Sequence, residues 1–228
     1  LVEEEIPEAA KPEKVIGVDL GIKSLAVTSD GVFYENPKTL HKAEKRLKRL
    51  DRRLSRKQKG SKNREKAKLV RAKAYQKVAR IRNHVLNEIT TELAKSKSIL
   101  VLEDLNVAGM QKNHHLARSI GDASWSRFRS MLEYKCQWYG GELVIVNPAY
   151  TSQTCSNCGA IKSDLTLKDR TYKCECGLEI DRDLNAAINI KNRAKHAQIN
   201  ACGEEHKTSR IPLAASLKQE AGCEASYA

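Results

Sequence analysis

The sequence predicts an α/β domain built on a mixed β-sheet, into which two further segments are inserted. Three observations lead to this fold class. Short apolar runs with the length of buried strands alternate with helix-like patterns. A strongly basic stretch with helical periodicity interrupts them, and so do two closely spaced pairs of cysteines.

The predicted sheet begins with the apolar run 15–18, which Asp19 ends. Such a run is typical of a central strand buried on both faces. Two strands follow, at 25–27 and 32–34, with a hairpin turn at 29–31. An ionised carboxylate in apolar surroundings costs several kcal/mol unless it is paired or bound to metal. Asp19 is therefore a candidate functional residue.

Two later strands complete the predicted sheet. The apolar run 98–102 predicts a buried strand that Glu103 ends, as Asp19 ends the first. Asp104 comes next, but adjacent strand residues point to opposite faces. Only one of these two acids can therefore face the same site as Asp19. The last strand is predicted at 142–146.

A polar loop at 106–122 and a helix at 125–139 are predicted before the last strand. The helix has one apolar face, and its N-cap is predicted to be Ser124 or Ser126. Gly140 is predicted to end it.

The segment 38–97 holds the excess positive charge of a chain whose formal net charge is +13. Twenty Lys or Arg and three acidic residues lie between Lys38 and Arg82. Helical periodicity predicts two antiparallel helices with apolar insides and basic outsides. A surplus this concentrated favours contact with a nucleic-acid backbone over a merely solvated face. The candidate contacts are Arg49, Arg53, Arg56 and Lys57.

The inner face of this hairpin is predicted from its apolar residues. The first helix carries a narrow 3-4 seam, and a turn follows at 58–62. The predicted stripe of the second helix is Val70, Ala74, Val78, Ile81, Val85, Ile89 and Leu93.

The cysteine pairs Cys155-x-x-Cys158 and Cys174-x-Cys176 have the spacing of a zinc ribbon. Four thiolates would close a tetrahedral Zn²⁺ shell, so the zinc would be structural rather than catalytic. A glycine after each pair permits a tight turn. The second pair departs from the usual spacing, since one residue separates its cysteines. The alternative is four buried cysteines without metal.

A predicted helix after the ribbon begins with Asp181 and Asp183. Asp at a helix start is ordinarily an N-cap. In an α/β sheet, however, strand ends and a helix start can meet at one rim, where Asp19 and Glu103 are also expected. Carboxylates brought together there would need Mg²⁺ or Mn²⁺ to offset their repulsion. Two such ions can clamp a phosphodiester.

Five stretches resemble the TnpB (OrfB) family of insertion-sequence proteins: GVDLGIKSLAVTSDG, VLEDLNVAGM, SWSRFRSMLEYK, TSQTCSNCG and DRDLNAAINI. That family consists of RuvC-like nucleases related to type V CRISPR effectors. They are known as RNA-guided DNA endonucleases and were historically described as transposases. The resemblance covers 14–195 and implies an RNase H-like (RuvC) fold. It implies that Asp19, Glu103 and Asp183 are the catalytic carboxylates, which would hold magnesium. Asp181 is the rival for the third position.

The resemblance also implies the organisation of the chain and its partners. The partners would be a DNA target and a guide RNA, the latter bound through an N-terminal part that precedes the core in the family and is expected to be missing here. No membrane span or secretory signal is visible, so a cytoplasmic protein, nucleoid-associated during action, is expected. The predicted parts are a linker (1–13), a nuclease core (14–150 and 178–195) with its inserted hairpin (38–97), a zinc ribbon (151–177) and a disordered tail (196–228).

Three functions are compatible with these features. The leading hypothesis is a DNA endonuclease with catalytic Mg²⁺ or Mn²⁺ and structural zinc. The second is a truncated zinc-ribbon protein that binds nucleic acid without cutting it. Three intact carboxylates favour the enzyme, because a binding protein needs none of them. The third, a strand-transferring transposase, uses the same acidic residues, so these cannot separate it from a hydrolase.

Overall fold

The computed structural model describes residues 14–96, 98–166 and 169–201. Its main sheet has five strands: β1 (Val15–Leu20), β2 (Ser24–Thr28), β3 (Phe33–Glu35), β4 (Ile99–Glu103) and β5 (Glu142–Val146). The spatial order is β3-β2-β1-β4-β5. Strands β1, β2 and β3 pair antiparallel, whereas β4 is parallel to β1 and β5 is parallel to β4. The predicted mixed sheet is thus confirmed.

Helices pack on both faces of this sheet. Alternate residues of β4 belong to two separate cores, as expected when a strand is buried on both sides. The larger core lies under α2 (Lys62–Lys95) and α5 (Trp125–Tyr139). The smaller core lies under α6 (Arg182–Ala201), where Ile190 packs with Val101.

The predicted basic hairpin is formed by α1 (Thr39–Ser55) and α2. Leu47 of α1 is buried with Ala74 and Val78 of α2, so apolar residues face inward. Ser61 begins α2 by accepting a hydrogen bond from the N–H of Arg64 at 3.2 Å. A serine at this position satisfies a donor that the helix leaves free.

The predicted stripe on α2 is wrong at Val70 and Ile81, which are 46% and 41% exposed. Helix α2 changes its packing partner along its length, because its first half contacts α1 and its second half covers the sheet. Its buried face in the second half includes Leu86, which the stripe omitted. A single stripe therefore cannot describe the whole helix.

The predicted polar loop at 106–122 instead contains two short helices, α3 (Val107–Met110) and α4 (Ala117–Ala123). Asn106 caps α3 by accepting a hydrogen bond from the N–H of Gly109 at 2.9 Å. Helices this short depend on caps and tertiary contacts. They show little hydrophobic periodicity, which is why the sequence did not predict them.

Asp122, at the end of α4, joins the base of the hairpin to the core. Its buried carboxylate accepts hydrogen bonds from the Thr39 hydroxyl and the Leu40 N–H, both at 3.0 Å. It also accepts one from the Arg82 guanidinium at 2.7 Å. One acid therefore fixes the starting point of α1 against both α2 and α4.

Helix α5 has the predicted apolar face but not the predicted cap. Ser124 has a φ of 54° and its side chain makes no capping hydrogen bond. It directly links α4 to α5, and its N–H bonds back to Ile120 at 3.0 Å. Gly140, with a φ of 78°, ends the helix as predicted. The buried face comprises Trp125, Phe128, Leu132 and Cys136.

The remaining elements follow β5. A second sheet consists of β6 (Thr171–Lys173) and β7 (Glu179–Asp181). Helix α6 continues to Ala201, so the predicted tail begins as helix. The predicted linker, 1–13, and the rest of that tail, 202–228, lie outside the described residues. No helix in the described part of the chain is long and apolar enough to cross a membrane.

Candidate active site and metal centre

The three predicted carboxylates line one open cleft of about 690 Å³. Asp19 lies near the end of β1, Glu103 ends β4, and Asp183 lies in the first turn of α6. The cleft therefore lies at the edge where the parallel strands end, which is where α/β sheets place their ligands. The structure brings all three acids together from distant parts of the chain.

Strand register places the first two acids side by side. Val18 of β1 lies opposite Leu102 of β4, so Asp19 and Glu103 follow at the same level. Asp104 points away and accepts a hydrogen bond from Arg129 on α5 at 2.8 Å. Of the two neighbouring acids, Glu103 is the one that lines the cleft.

A close contact between β1 and α6 determines where Asp183 lies. A Cβ atom on Gly17 would be 2.1 Å from the carbonyl oxygen of Ala187 and 2.6 Å from the nitrogen of Lys191. Gly17 and Asp19 share one face of the strand, while Asp183, Ala187 and Lys191 are successive turns of one helix face. The contact that requires glycine thus brings Asp183 close to Asp19.

Asp181 and Asp183 are used differently at the start of α6. The Asp181 carboxylate accepts hydrogen bonds from the N–H of Asp183 at 2.9 Å and of Leu184 at 3.3 Å. This is an N-cap interaction. Asp183 lines the cleft, whereas Asp181 is absent from its lining among the described residues. The geometry favours Asp183 as the third carboxylate of the site.

Burial and neighbouring charges perturb these acids. Burial raises the pKa of Asp19 well above its ordinary value, Glu103 and Asp183 raise it further, and Arg182 lowers it. Burial also raises the pKa of Glu103, while the hydrogen bond donated by the Thr151 hydroxyl opposes this. A cation in the cleft would relieve both the desolvation and the repulsion.

The carboxylates surround the cleft rather than meeting at one point. Within the described ranges, the four cysteines are the only group of three or more acidic, His or Cys side chains close enough to share an ion. The three acids therefore line the cleft without forming a closed set of ligands in this structure.

Sequence reasoning missed Thr151 and the cations of the cleft. Thr151 donates from its hydroxyl to Glu103 and to the carbonyl of Pro148. A signal was available, because a polar residue shortly after a third parallel strand is expected near the same sheet edge. The cations that line the cleft are Lys23, Lys38, Arg170 and Arg182.

The four predicted zinc ligands meet at one point. Their sulfur atoms all lie within 4.8 Å of one another. The sulfurs of Cys155 and Cys176 are 3.7 Å apart, and those of Cys158 and Cys174 are 3.6 Å apart. Zn–S bonds of about 2.3 Å at tetrahedral angles require about 3.8 Å between sulfurs. The cluster therefore fits Zn²⁺ despite the short Cys174-x-Cys176 spacing.

Each cysteine pair lies on a turn that ends in glycine, as predicted. Gly159 and Gly177 have φ values of 78° and 87°, which favour glycine. Their N–H groups donate to the carbonyls of Cys155 and Cys174, both at 3.0 Å. The second turn is one residue shorter, because Gly159 bonds to the carbonyl four residues before it and Gly177 to the carbonyl three residues before it.

The thiols of the chain differ in their readiness to bind metal. The N–H of Leu178 and the side-chain amide of Asn157 lower the pKa of Cys176 to about 6. Zinc binds the thiolate, so this environment assists binding at Cys176, whereas desolvation and the neighbouring thiols raise the pKa of Cys174 to about 12. Cys136 lies in the core, where burial raises the pKa of its thiol to about 11. Cys136 is therefore a core residue rather than a candidate metal ligand.

Two asparagines of α6 hold the first cysteine turn against the core. Asn185 donates to the carbonyl of Thr154 at 2.8 Å and accepts from the N–H of Ser156 at 3.0 Å. Asn189, one turn later, donates to the carbonyl of Thr151 at 2.9 Å. Both amides are buried, so these bonds replace those that water would make.

Arg193, one turn further along α6, donates hydrogen bonds to the carbonyls of Asn147 and Ala149. We refer to Asn185, Asn189 and Arg193 as the α6 ladder. Because Thr151 contacts Glu103, the ladder connects the metal centre to the acidic cleft through one short segment.

The four predicted phosphate contacts lie together near the end of α1. Arg49, Arg53, Arg56 and Lys57 line a shallow groove with Arg52, with a volume of about 350 Å³. Its lining within the described chain contains no acidic residue. A groove lined by cations alone favours a polyanion.

Comparison with known proteins gives the family. Residues 1–114 match the OrfB_IS605 model, "Probable transposase", and residues 125–190 match "Cas12f1-like, TNB domain". A "Putative RNA-guided DNA endonuclease" of Streptomyces pristinaespiralis is 40% identical, covering 96% of this chain and 55% of that protein. "Putative RNA-guided DNA endonuclease InsQ" of Escherichia coli (strain K12) is 36% identical, covering 96% and 57%. The chain thus spans about half the length of these relatives.

Two solved structures resemble the fold. One, a CRISPR-Cas12f ternary complex, is 25% identical with a TM-score of 0.62, covering 84% of this chain and 41% of that chain. The other, a Cas12f1–sgRNA–target DNA complex, is 23% identical with a TM-score of 0.60, covering 82% and 52%. Since the transposase model matches half of the sequence, the chain belongs to the family that its motifs resemble, OrfB_IS605, also known as TnpB.

Proposed function

We propose that this chain contains the catalytic core of a divalent-metal-dependent DNA endonuclease with an RNase H-like (RuvC) fold. The observation that carries the proposal is the cleft shared by Asp19, Glu103 and Asp183. Half-buried acids gathered at one sheet edge are costly without a cation, and a protein that only binds nucleic acid has no use for them.

In this proposal the three acids would hold Mg²⁺ or Mn²⁺. When bound, such ions supply an activated water and neutralise charge on the phosphate. The chain provides orientation, because Thr151 fixes the Glu103 carboxylate and the β1–α6 contact fixes Asp183.

The cations of the cleft would bind the substrate's phosphates. Arg182 lies next to Asp183, and Arg170 and Lys23 line the same opening. Guanidinium groups suit phosphate oxygens because they form paired, charge-assisted hydrogen bonds. The basic groove near the end of α1 would bind the nucleic-acid backbone at a greater distance from the three carboxylates.

The proposed zinc is structural. Cys155, Cys158, Cys174 and Cys176 would fill its tetrahedral shell and leave no open position for chemistry. The zinc would hold the ribbon turns together, and the α6 ladder would keep the ribbon attached to the core.

RNA guidance is the second part of the proposal. The matched relatives bear names that say RNA-guided DNA endonuclease, and one similar structure is a complex with guide RNA and target DNA. This chain spans about half of those relatives. Guide binding and target choice would therefore also involve segments outside the matched region.

The test is DNA cleavage by zinc-loaded protein, co-expressed with RNA from its own locus and supplied with Mg²⁺ or Mn²⁺. We expect cleavage that is lost in Asp19→Asn, Glu103→Gln and Asp183→Asn, singly and together. The losses should be similar, because members of one catalytic unit are not additive. DNA binding should survive in each variant.

Three outcomes separate the candidate functions. Cleavage by Asp19→Asn at the wild-type rate would eliminate the nuclease site. If the wild-type protein binds DNA without Mg²⁺ or Mn²⁺ and does not cut it when these ions are supplied, the chain is instead the non-cutting zinc-ribbon protein. Joined rather than cut DNA products would indicate strand transfer, which uses the same acids.

A further inference from the structure

A row of cations runs along the outer face of α1. Its members within the helix are three or four residues apart, which places them on one side of the helix, about 5–6 Å from one another. Two further cations directly precede and follow α1 at the same spacing. Their side chains are exposed, and none has an acidic partner within the described residues. We call this the basic stripe: Lys38, Lys42, Lys45, Arg49, Arg52 and Arg56.

Two cations beside the stripe are paired with acids, unlike the stripe itself. Lys48 binds Glu44 at 2.7 Å, and Arg71 of α2 binds Asp51 at 2.5 Å. The two acids of α1, Glu44 and Asp51, thus form ion pairs outside the stripe and leave its charge without a partner. An unpaired row of this kind is attracted to a continuous chain of phosphates.

The stripe ends inside the acidic cleft. Lys38, its first member, lines the cleft together with Asp19, Glu103 and Asp183. A strand whose phosphates follow the stripe would therefore be led to the carboxylates. Such a strand would be the one placed for cutting.

Lys38 is held there in a conformation that lysine seldom adopts. Its φ is 47° and its ψ is 46°, in the left-handed region that disfavours residues with a Cβ atom. Asn36 fixes it, accepting from the Lys38 N–H at 3.0 Å and donating to the Ile22 carbonyl at 2.8 Å. Ile22 also lines the cleft. Glycine or asparagine would fit this backbone more easily, so folding alone does not explain a lysine.

We propose that Lys38 binds a phosphate of the DNA strand being cut, beside the scissile bond, and that the basic stripe leads that strand into the cleft. The inference rests on the proposed nuclease function, and it adds a substrate-binding residue to it. Lys38 is distinct from the carboxylates, because it contacts the substrate rather than the metal.

The test compares Lys38→Asn, Lys38→Arg and Lys77→Gln in the zinc-loaded protein. Asn tolerates the left-handed backbone, so this variant should fold with an unchanged or higher Tm. Its affinity for a fluorescent single-stranded DNA oligonucleotide should fall about tenfold, as expected for one charged hydrogen bond. The slope of the logarithm of its DNA-binding constant against the logarithm of salt concentration should become shallower by about 0.7.

The two other variants serve as controls. Lys38→Arg keeps the charge and should restore both affinity and slope. Lys77 is an exposed lysine of α2 outside both the cleft and the stripe, so Lys77→Gln should change the maximal cleavage rate little. In contrast, Lys38→Asn should lower the cleavage rate at saturating DNA at least tenfold.

The possible results keep the two proposals separate. Unchanged affinity, salt slope and cleavage in a folded Lys38→Asn protein would overturn the inference. Loss of binding that Lys38→Arg does not restore would also overturn it, since charge would not be the cause. A wild-type protein that binds DNA with the Lys38 effect but never cuts would refute the proposed nuclease and leave the strand contact standing.

Discussion

Gly17 of β1 and Ala187 of α6 touch backbone to backbone, with room for no side chain between them. A Cβ atom on Gly17 would lie 2.1 Å from the Ala187 carbonyl oxygen, a distance that real Cβ atoms essentially never show. The atoms in the way are mostly backbone, so no side-chain rotation can make space. The spacing of strand and helix, and with it that of Asp19 and Asp183, depends on this one residue.

Gly17→Ala should destabilise the protein and impair cleavage. Overpacking of this kind typically costs about 1–3 kcal/mol, since the helix must move away from the strand. Urea denaturation would measure the loss. The matched control is Gly121→Ala in α4, where an added Cβ meets nothing within 4 Å. That variant should be neutral or stabilised by up to about 1 kcal/mol. Equal effects of the two changes would contradict the role assigned to the contact.

Asp181 and Asp183 should separate stability from activity. Asp181→Ala removes an N-cap and should cost about 0.5–2 kcal/mol of unfolding free energy while cleavage persists. Asp181→Asn should restore the stability, because asparagine caps equally well. Asp183→Asn should abolish cleavage with little loss of stability. The reverse pattern would make Asp181 the third carboxylate.

The four-cysteine cluster should bind one zinc per chain, measurable by elemental analysis. Cys174→Ser should lose that zinc, because one of four ligands is removed. Zinc contributes roughly 10 kcal/mol or more in small isolated modules, so chelation should open the ribbon to proteolysis. Cys136→Ala is the control and should retain the metal. Protein purified without chelator but lacking zinc would refute the site.

Cys136 should make stability fall at alkaline pH. Burial raises the pKa of its thiol in the folded protein from 9.0 to about 11, so the unfolded chain releases the proton first. The stability that the protonated, buried thiol contributes is intact below about pH 9 and is lost as pH rises towards 11. Over that range the free energy of unfolding falls by up to about 1.4 kcal/mol per pH unit. Cys136→Ala should lower stability overall, through its cavity, but flatten this slope. Urea denaturation at several pH values would show it.

The groove at the end of α1 should contribute to affinity through charge alone. Changing Arg49, Arg53, Arg56 and Lys57 to Gln should weaken DNA binding and flatten its salt dependence by up to about 0.9 per lost phosphate contact on duplex DNA. Sequence preference should not change, because phosphate contacts carry none. Filter binding at several salt concentrations would measure this. An unchanged slope would make the groove a purely structural surface.

The sheet could be predicted because its strands combine short apolar runs with clear turns. The run before Asp19 and the run before Glu103 are each too apolar to be exposed, which predicted two buried strands; that they are neighbours is a finding of the structure. The cysteine turns were equally predictable, since Gly159 and Gly177 have the positive φ that their positions suggested. In both cases local chemistry and tertiary structure agree.

The features that were missed depend on tertiary contacts. The exposure of Val70 and Ile81 follows from the change of partners along α2, which no local pattern reveals. Asp122 appears in the sequence as one polar residue among many, and only the structure shows its three donors. Lys38 is similar, because the position of the start of α1 depends on its contacts with α2 and α4.

The packing of α6 against β1 also has a consequence for synthesis of the protein on the ribosome. Strand β1 is made early, but one of its faces stays uncovered until α6 has been translated. Asp183 and the ladder that steadies the ribbon belong to that same late helix. A polypeptide that stops before α6 therefore lacks the third acid and one wall of the cleft. Under the proposed function, prematurely terminated products of this gene would be unable to cut DNA, although they would keep the basic hairpin.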